Sequence, residues 1–366
     1  MTARARIGFI SVMPSPYQRD FFRALAAVPE IDLSVYYQQA GAGDSPWERA
    51  RLDAHEQMLP GWGAEFGSLR FQFNIGLPDP ASADLWIVNA SLLAPSTQWI
   101  MRRHLRARQW LFWGERIRPS GGRLRSAIKA RASAPLVRAS GIVAVGSRAA
   151  ADYRRRFPGM PIWDIPYHCD LAPFHAISRE AERTGPFTFL FCGQMIARKG
   201  IDLLLPAFEE TAALHSDARL LLVGREGLLP GLMECLRPET RTRIEYAGFR
   251  QPADLPALFA RADALVLPSR YDGWGVVVNQ ALAAGLPVVC SDAVAAGDDL
   301  IVPGANGSIV PAGDLRALAL ALWELASDPL RAAAWGRESR RRSFDFTPQE
   351  CVGKWAAILR EVLPSP

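Results

Sequence analysis

The chain has 366 residues, of which 49% are hydrophobic and 22% are charged. This length favours two domains, and the composition excludes a largely disordered chain. No apolar run approaches the roughly 18–20 residues that span a bilayer, which argues against an integral membrane protein. The five cysteines are scattered and form no CxxC pair. They therefore argue against a disulfide framework or a structural zinc site and fit a reducing cytoplasm.

The formal net charge of +5 is unevenly distributed. Residues 1–175 hold 22 Lys and Arg against 14 Asp and Glu, so their net charge is +8. Residues 176–366 hold 20 against 23, so their net charge is −3. This asymmetry indicates that the first half meets an anionic partner.

Apolar runs alternate with helical stretches along the first half of the chain. The first run, Ile7 to Met13, leads directly into Pro14-Ser-Pro16 and reads as a buried strand rather than a signal peptide. Such alternation predicts βαβ units and a parallel sheet. We expect strands at 6–12, 33–37, 85–89, 110–113 and 141–145, and helices at 18–28, 97–108 and 148–156.

The alternation lapses near residue 175 and restarts near residue 187. The polar stretch 178–186 reads as a linker. Beyond it we expect strands at 187–192, 218–223, 244–247, 264–267 and 287–290, and helices at 203–214 and 255–261. The sequence therefore predicts two doubly wound α/β domains in tandem, at 1–175 and 186–345. A final apolar stripe at 346–366 either packs on the second domain or crosses back to the first.

Ligands of open parallel sheets bind beyond the carboxyl ends of the strands. Gly193 follows one predicted strand and Gly200 opens the next helix, with Arg198 and Lys199 between them. Glycines let backbone N–H groups approach a phosphate, and the two cations would add charge. Taken alone, this segment is weak evidence for a phosphate-binding loop, because exposed Arg and Lys side chains are usually solvated.

The segment from Pro268 to Asp292 is more specific. A strand ends at Pro268, a loop carries Asp272-Gly-Trp-Gly275, and a helix follows to about Ala284. The two glycines would bring the backbone close to a ligand at a helix N-terminus. Asp272 and Gln280 lie eight positions apart, so both could border one pocket, one facing a sugar and the other a ribose.

Together these segments resemble the Glu-x7-Glu region of retaining glycosyltransferases with the two-Rossmann-domain GT-B fold, in particular glycosyltransferase family 4. The likeness is specific over residues 187–315 and fainter over 7–175. It is carried by Pro268-Ser-Arg-Tyr-Asp-Gly-Trp-Gly275, Gly193-Gln-Met-Ile-Ala-Arg-Lys-Gly200, Leu222-Val-Gly224, Tyr246-Ala-Gly-Phe249, Pro303-Gly-Ala-Asn-Gly-Ser-Ile-Val-Pro-Ala-Gly-Asp314, Ala144-Val-Gly-Ser147 and Tyr167-His-Cys-Asp170.

The resemblance implies a GT-B fold with a cleft between the domains. It also implies transfer of a sugar from a nucleotide diphosphate donor, with retention of configuration, to a glycan or lipid-linked acceptor in surface polysaccharide or glycoconjugate assembly. The donor would lie mainly on the second domain and the acceptor on the first. No metal or other cofactor is expected, because helix dipoles and basic residues serve in its place.

By the same resemblance, Lys199 neutralises the diphosphate and Asp272 lies near the donor sugar. Gln280 takes the position of the ribose-binding glutamate. We therefore expect Asp272, Glu115 and Lys199 at the reaction centre. The expected donor-binding set is Gly193, Gln194, Arg198, Lys199, Phe249, Arg250, Trp274, Gly275, Val276 and Gln280.

The chain departs from the family pattern at several of these positions. Gln194 replaces the family arginine, and Asp272 and Gln280 replace glutamates. The family histidine after a first-domain strand is absent; Glu115 either takes its place or pairs with a neighbouring arginine. Because of these departures, an alternative interpretation remains: a protein that binds a nucleotide sugar but has weak or no transferase activity.

A cluster of arginines flanked by tryptophans indicates an anionic acceptor or membrane surface, or else an ordinary solvated face. The cluster comprises Arg102, Arg103, Arg106 and Arg108, flanked by Trp99 and Trp110. We expect a cytoplasmic protein, with the inner face of the membrane as a peripheral partner. There are three alternatives to a membrane-associated transferase. They are a soluble transferase that acts on a small-molecule acceptor, a nucleotide-sugar epimerase of the same fold, and a non-catalytic protein that binds a sugar or nucleic acid. No nucleic-acid module is recognisable, so nucleic acid is not an expected partner.

Overall fold

A computed structural model describes residues 4–41, 47–49, 51–66, 69–118, 122–179 and 185–363. Most of the expected linker, residues 180–184, lies outside the described residues. The chain divides into two units, and the first of them is discontinuous. It comprises Met1–His168 and Pro348–Pro366, whereas the second comprises Cys169–Thr347. The C-terminal helix therefore belongs to the first unit, which was one of its two expected locations.

The first unit is built on a seven-stranded sheet of order β3-β2-β1-β6-β7-β8-β9, in which the described pairings are parallel. An antiparallel hairpin, β4–β5, is inserted in the chain between β3 and β6 and forms a separate two-stranded sheet. The strands are β1 (Ala5–Ser11), β2 (Ile31–Tyr37), β3 (Glu56–Met58), β4 (Gly61–Phe66), β5 (Leu69–Asn74), β6 (Leu85–Asn89), β7 (Trp110–Gly114), β8 (Gly141–Ala144) and β9 (Ile162–Asp164).

Helices cover both faces of this sheet and come from both ends of the chain. They are α1 (Pro16–Ala26), α2 (Pro95–Trp99), α3 (Arg123–Ser133), α4 (Ser147–Arg156) and the C-terminal helix Pro348–Val362. The core is strongly aromatic. Phe9 of β1, Phe21 of α1 and Trp113 of β7 surround the fully buried Trp355 of the C-terminal helix, at ring-centroid distances of 5.5–5.7 Å.

The second unit repeats the design with a six-stranded parallel sheet of order β12-β11-β10-β13-β14-β15. The strands are β10 (Thr188–Cys192), β11 (Arg219–Val223), β12 (Ile244–Tyr246), β13 (Ala264–Leu267), β14 (Val288–Ser291) and β15 (Gly307–Val310). The helices are α5 (Ala172–His175), α6 (Ile201–Leu214), α7 (Leu229–Glu234), α8 (Pro238–Arg241), α9 (Leu255–Ala260), α10 (Val276–Ala283), α11 (Ala295–Leu300), α12 (Leu315–Ser327) and α13 (Pro329–Ser343); the C-terminal helix is hereafter α14.

The second sheet has the 3-2-1-4-5-6 order of a Rossmann-like sheet. The first sheet has the same order once the inserted hairpin is set aside, with a seventh strand, β9, added next to β8. The prediction of two tandem doubly wound α/β domains is confirmed. One predicted helix was wrong in extent. The stretch 97–108 is instead α2 followed by a wider π-helical turn, Ile100–His104, in which Leu105 N donates to Ile100 O over 2.9 Å.

Candidate functional site

The predicted donor segments meet at the switch point of the second sheet. In the order β12-β11-β10-β13-β14-β15, the chain leaves β10 toward one edge and returns at β13 toward the other. The loops that follow these two strands, residues 193–200 and 268–275, therefore lie side by side. A crevice at such a point is where ligands of open α/β sheets bind.

Gly200 lets the two loops come into contact. Its φ is +77°, and a Cβ at this position would lie 2.1 Å from the carbonyl oxygen of Pro268. Only glycine tolerates both the left-handed backbone and this approach. The helix α6 begins at the next residue. Residue 200 therefore fixes the distance between the loop after β10 and the loop after β13.

Hydrogen bonds hold the same two loops together. Arg270 N donates to Arg198 O over 2.8 Å, and Arg198 Nη1 donates to Tyr271 O over 3.2 Å. Arg270 Nη1 donates to Ala197 O over 2.6 Å and pairs with Asp202 over 2.7 Å. Arg198 thus supports the loops, and Arg270 is a supporting residue that the sequence interpretation missed. No motif position marked Arg270, so only the fold reveals it.

Lys199 and Asp272 form an ion pair between the two loops. Lys199 Nζ donates to Asp272 Oδ2, and the side chains are only 17% and 12% exposed. Two residues that the sequence assigned to one reaction centre, 73 positions apart, are therefore in direct contact. A mostly buried ammonium retains hydrogen-bond donors beyond the one that a single carboxylate oxygen uses, and these could bind a second anionic partner.

The loop that carries Asp272 continues into the N-terminus of α10. Asp272 N donates to Ala293 O over 3.1 Å, which ties the loop to the next strand–helix connection. The buried Trp274 is anchored by a 2.9 Å hydrogen bond from its Nε1 to Asn279 Oδ1. Gly275 has a φ of +102°, and no described side chain caps the helix that starts at Val276. Its first N–H groups therefore present positive partial charge to an anion.

Gln280 lies on the second turn of α10 and is 3% exposed. Its side chain makes no hydrogen bond to any of the residues that the structure describes. An amide in this position retains both donor and acceptor capacity for a ligand hydroxyl. Asp272 and Gln280 therefore lie on one continuous loop–helix segment. That both border one pocket stays a prediction.

The remaining predicted donor residues follow neighbouring strands of the same sheet edge. Gly193 N donates to Val223 O over 2.8 Å, and Gly224 N donates to Gly248 O over 3.0 Å, so the three strand ends are aligned. Phe249 is half-buried and Arg250 is exposed, directly beyond β12. Gln194 lies in the half-buried turn after β10. The predicted donor set therefore shares one edge of one sheet.

Cys192 ends β10, close enough to Lys199 to feel its charge. Burial raises the pKa of the Cys192 thiol to about 12, although the nearby Lys199 charge acts in the opposite direction. The thiol is therefore protonated at neutral pH and is a poor nucleophile.

Glu115 belongs to the first unit and lies in its exposed surface directly after β7. Its backbone oxygen accepts a 2.7 Å hydrogen bond from Tyr153 Oη. Burial raises the pKa of Tyr167 well above its usual range, and the charge of Glu115 adds to this rise. The Glu115 carboxylate is therefore close to Tyr167.

A polar network that the sequence interpretation missed lies at the switch point of the first sheet. Gln18 Nε2 donates to Asn89 Oδ1 over 2.7 Å and to Tyr167 Oη over 3.5 Å. Ser11 Oγ donates to Gln18 Oε1 over 3.2 Å, and Asn89 Nδ2 donates to Trp113 O over 2.9 Å. The sequence did carry one signal for this network: the apolar run 85–89 ends in a polar residue, Asn89.

One group of side chains in the described residues has the spacing of a metal site. The ligand atoms of Asp53, His55 and Glu56 lie within 4.8 Å of one another. Glu56, however, already accepts from Arg19 Nη2 over 2.6 Å and from Tyr37 Oη over 2.6 Å. An arginine in direct contact with the central carboxylate disfavours a divalent cation there. This group is an ion-pair network rather than a metal centre.

Comparisons with known proteins point to one family. Residues 186–328 match the family model described as Glycosyl transferases group 1. A glycogen synthase from Mycobacterium tuberculosis is 31% identical over 178 residues, which are 48% of this chain and 43% of that protein. A phosphatidyl-myo-inositol mannosyltransferase from Mycobacterium leprae is 36% identical over 168 residues, which are 44% and 43% of the two chains. This chain thus spans less than half the length of these relatives.

A solved structure extends the likeness to the whole fold. The pneumococcal O-GlcNAc transferase crystallised with UDP and GlcNAc aligns with a TM-score of 0.73, over 99% of this chain and 100% of that chain, at 11% identity. At this identity the likeness shows the fold alone, which is the GT-B fold. Among the helices of the described residues, none combines the length and the apolarity that crossing a membrane would require.

Proposed function

We propose, from the premise that residues 186–328 belong to the Glycosyl transferases group 1 family, that this chain transfers a hexose from a nucleotide diphosphate sugar to a glycan or lipid-linked acceptor. The observation that carries the proposal is the Lys199–Asp272 pair next to the N-terminus of α10, which no described side chain caps; Asp272 Oδ2 would lie 3.6 Å from a Cβ at Gly275. A diphosphate needs positive charge and N–H donors at one place, and this sheet edge supplies both.

The site residues then take the following roles. Lys199 binds the diphosphate together with the backbone N–H groups of Trp274, Gly275 and Val276, which lead into α10. Asp272 faces the donor sugar, and Gln280 binds the ribose with its amide. The half-buried Phe249 and the exposed Arg250 border the base. Gly193 and Gln194 admit the phosphates, while Arg198 holds the loop through Tyr271 O.

Transfer breaks the bond between the anomeric carbon and the diphosphate oxygen, which leaves with the electron pair. The acceptor hydroxyl oxygen forms the new bond, and its proton passes to the leaving diphosphate oxygen. Lys199 and the helix N-terminus stabilise the negative charge that develops on the leaving diphosphate. Because these groups supply that charge, we propose that the reaction needs no metal. We also propose, from the resemblance to glycosyltransferase family 4, that it proceeds with retention of configuration.

Donor binding by Lys199 tests this proposal. Lys199→Ala should weaken binding of UDP or GDP, whichever the protein prefers, by about 10- to 100-fold, because a charge-assisted hydrogen bond contributes roughly 1.5–3 kcal/mol. Asp272 would also be left to repel the diphosphate. Arg198→Ala should cost less, since that side chain donates to a backbone oxygen. Isothermal titration calorimetry measures each affinity.

Lys354→Ala is the matched control, since it removes a lysine from the exposed face of α14. Equal nucleotide affinity of wild type and Lys199→Ala would reject the assigned role of Lys199. A transfer assay with radiolabelled nucleotide sugars separates an active enzyme from a binding protein. Nucleotide affinity without transfer to any tested acceptor would favour the weak or inactive alternative, which the Asp272 and Gln280 departures motivate. The anomeric coupling constant of the product reports retention.

A specific observation also supports an anionic membrane surface as a partner of the first unit. Residues 85–151 hold twelve Lys and Arg and one acidic residue, Glu115, so their net charge is +11. Arg102 Nη2 donates to Arg131 O over 3.0 Å, which joins the cluster around Arg102 to α3. On α3, Leu124 is 75% exposed and Ile128 is 50% exposed, one turn apart. We propose that this basic, partly apolar surface brings the transferase to a lipid-linked acceptor in surface glycan assembly.

A further inference from the structure

A cavity of about 600 Å³ opens in the first unit beside the β4–β5 hairpin. Its walls come from the end of β5, from the strand's continuation to residue 77, and from α2 with its π-helical turn. The residues that matter for its chemistry are Phe73, Asn74, Ile75, Ser96, Trp99 and His104. This volume is within the range of small-ligand pockets, and it would hold one or two sugar rings.

Large apolar side chains are unusually exposed around this cavity. Trp99 is 55% exposed and Ile75 is 66% exposed. Phe73 is stacked on Trp62, its cross-strand partner, with ring centroids 4.7 Å apart and planes inclined by 20°. Trp62 itself is 60% exposed. Several exposed aromatic side chains around one hollow mark an interaction site rather than a solvated surface.

The polar groups of the wall are neutral. His104 Nε2 lies 2.9 Å from Pro78 O, and because a carbonyl oxygen only accepts, Nε2 carries the proton. Burial lowers the pKa of His104, so the ring is neutral and Nδ1 is an acceptor with no donor among the described residues. Asn74 Oδ1 also accepts no hydrogen bond from them. Among the residues that the structure describes, no Asp, Glu, Lys or Arg lines the cavity.

We propose that this cavity is an accessory glycan-binding site, in which Trp99 and Phe73 pack on the apolar faces of a neutral sugar and His104 Nδ1 accepts from one of its hydroxyls. The absence of charge in the lining disfavours phosphates and uronic acids, because neither would find a compensating partner. The choice of a glycan, rather than another neutral polyol, rests on the proposed transferase function. The site would hold a part of the acceptor, or of the growing product, that does not react.

The arrangement favours a sugar over a bilayer. A membrane contact needs apolar side chains that project together, as Leu124 and Ile128 do on α3. The aromatic side chains here instead border a hollow that holds an unfilled hydrogen-bond acceptor. A lipid tail would leave His104 Nδ1 unpaired and desolvated, whereas a hydroxyl satisfies it.

Binding of neutral disaccharides tests the proposal without any transfer reaction. Maltose, cellobiose, mannobiose and N,N′-diacetylchitobiose are the probes, and saturation-transfer difference NMR on the full-length protein is the measurement. We expect at least one probe to bind with a Kd in the millimolar range. Trp99→Ala should weaken that binding at least 10-fold, and His104→Phe, which keeps a ring but removes the acceptor, should weaken it several-fold.

Trp323→Ala is the control, since Trp323 is a partly exposed tryptophan on α12 of the second unit. Trp323→Ala should leave the binding of the disaccharide probes unchanged. The affinity of Trp99→Ala for UDP or GDP should also equal that of the wild type. No saturation transfer from any probe, or equal binding by wild type and Trp99→Ala, would overturn the accessory site. The accessory site would also be overturned if Trp99→Ala lost binding to neutral phosphatidylcholine vesicles but kept its binding of sugars. Failure of the wild type to bind any nucleotide would count against the proposed function instead.

Discussion

Glu56 is a buried carboxylate whose charge is balanced entirely within the first unit. Arg19 Nε and Nη2 donate to it over 2.6–3.0 Å, Asp53 N donates over 2.8 Å, and Tyr37 Oη donates over 2.6 Å. Burial by itself raises the pKa of Glu56, but these donors outweigh burial and leave the pKa below its usual value. Burial also lowers the pKa of the neighbouring His55.

Both shifts make the folded state sensitive to acid. A lowered folded pKa contributes stability that is present above the unfolded pKa and is lost as the pH falls. The loss should begin below about pH 6.5 through His55 and continue below about pH 4.3 through Glu56. Urea unfolding should show that wild type loses more stability between pH 5.5 and 3.5 than Glu56→Gln does, although Glu56→Gln starts lower because Arg19 is left unpaired.

Glu30→Gln is the control for this comparison, since Glu30 is exposed. It should follow the wild-type pH profile. Parallel profiles for wild type and Glu56→Gln would show that the titration of Glu56 does not govern acid stability.

The two glycines that bound the first donor loop should respond differently to alanine. At Gly200 a Cβ would collide with Pro268 O and the φ is +77°, so Gly200→Ala should destabilise the second unit by roughly 1–3 kcal/mol. At Gly193 the nearest atom to a Cβ is 3.7 Å away, so stability should stay within about 0.5 kcal/mol. If phosphates approach Gly193 closely, Gly193→Ala should still lose nucleotide affinity. Urea unfolding and calorimetry give the two quantities, and equal destabilisation would contradict this assignment.

The sequence predicted individual site residues where a motif position carried them, and missed those that act only through the fold. Lys199 and Asp272 were paired in advance because both matched family positions. Arg270 lies within the quoted motif, yet its contacts to Ala197 O and Asp202 depend on how two loops cross. Asn89 joins Gln18 across 71 positions, a distance that no local pattern encodes.

At the level of elements, α14 completes the core of a unit that begins some 340 residues earlier. Trp355 is fully buried between Phe9, Phe21 and Trp113. A helix that supplies a core residue of this size is part of the domain rather than an appendage. Its apolar stripe was visible in the sequence, but a stripe records only that a face is buried and leaves its partner undetermined.

Removal of this side chain should therefore loosen distant strands selectively. Trp355→Ala should destabilise the first unit by about 3–5 kcal/mol, because it leaves a large cavity. Hydrogen–deuterium exchange should rise in β1 and α1 and stay at the wild-type rate in β10. In the control variant Trp323→Ala, hydrogen–deuterium exchange in β1, α1 and β10 should stay at the wild-type rate. Equal protection of β1 in wild type and Trp355→Ala would contradict the inferred packing.

Elements with continuous apolar runs were predicted well, and those without them were missed. The buried strands β1, β6, β7, β10 and β13 are such runs, because both faces of a parallel sheet are covered. The hairpin β4–β5 contains Gly61-Trp-Gly-Ala-Glu-Phe66, in which polar and small residues obscure the period of two. The helix α3 was missed because most of its residues are exposed, so it has only a weak apolar stripe.

Over the whole molecule, positive charge is concentrated in the first unit. On α3, burial lowers the pKa of Lys129, and the charges of Arg118, Arg125 and Arg156 lower it further. Lys129 Nζ donates to Arg118 O over 2.5 Å, which keeps these groups together. An unbalanced cluster of this kind attracts anionic surfaces.

Binding to vesicles should follow this charge. Phosphatidylserine-containing vesicles should sediment the protein at low salt and release it as ionic strength rises, because screening shortens to about 8 Å at 0.15 M. Replacement of Arg102, Arg103, Arg106 and Arg108 by Gln should remove much of the binding, while nucleotide affinity in the second unit stays intact. Replacement of Arg237 and Arg241 by Gln is the control with exposed arginines of the second unit. Equal sedimentation with anionic and neutral vesicles would identify the cluster as an ordinary solvated face.

The return of α14 to the first unit also orders events during synthesis. At roughly 5–20 residues per second, the 180 residues from His168 to Pro348 take about 9–36 s to make. Throughout that interval the first unit lacks Trp355, so its aromatic residues Phe9, Phe21 and Trp113 stay partly exposed on the ribosome. The second unit, contiguous in sequence, can fold before the first is closed. The first unit, most of which is synthesised first, is therefore the last to complete its core. We expect chaperones that bind nascent chains to engage its exposed aromatic residues during this interval.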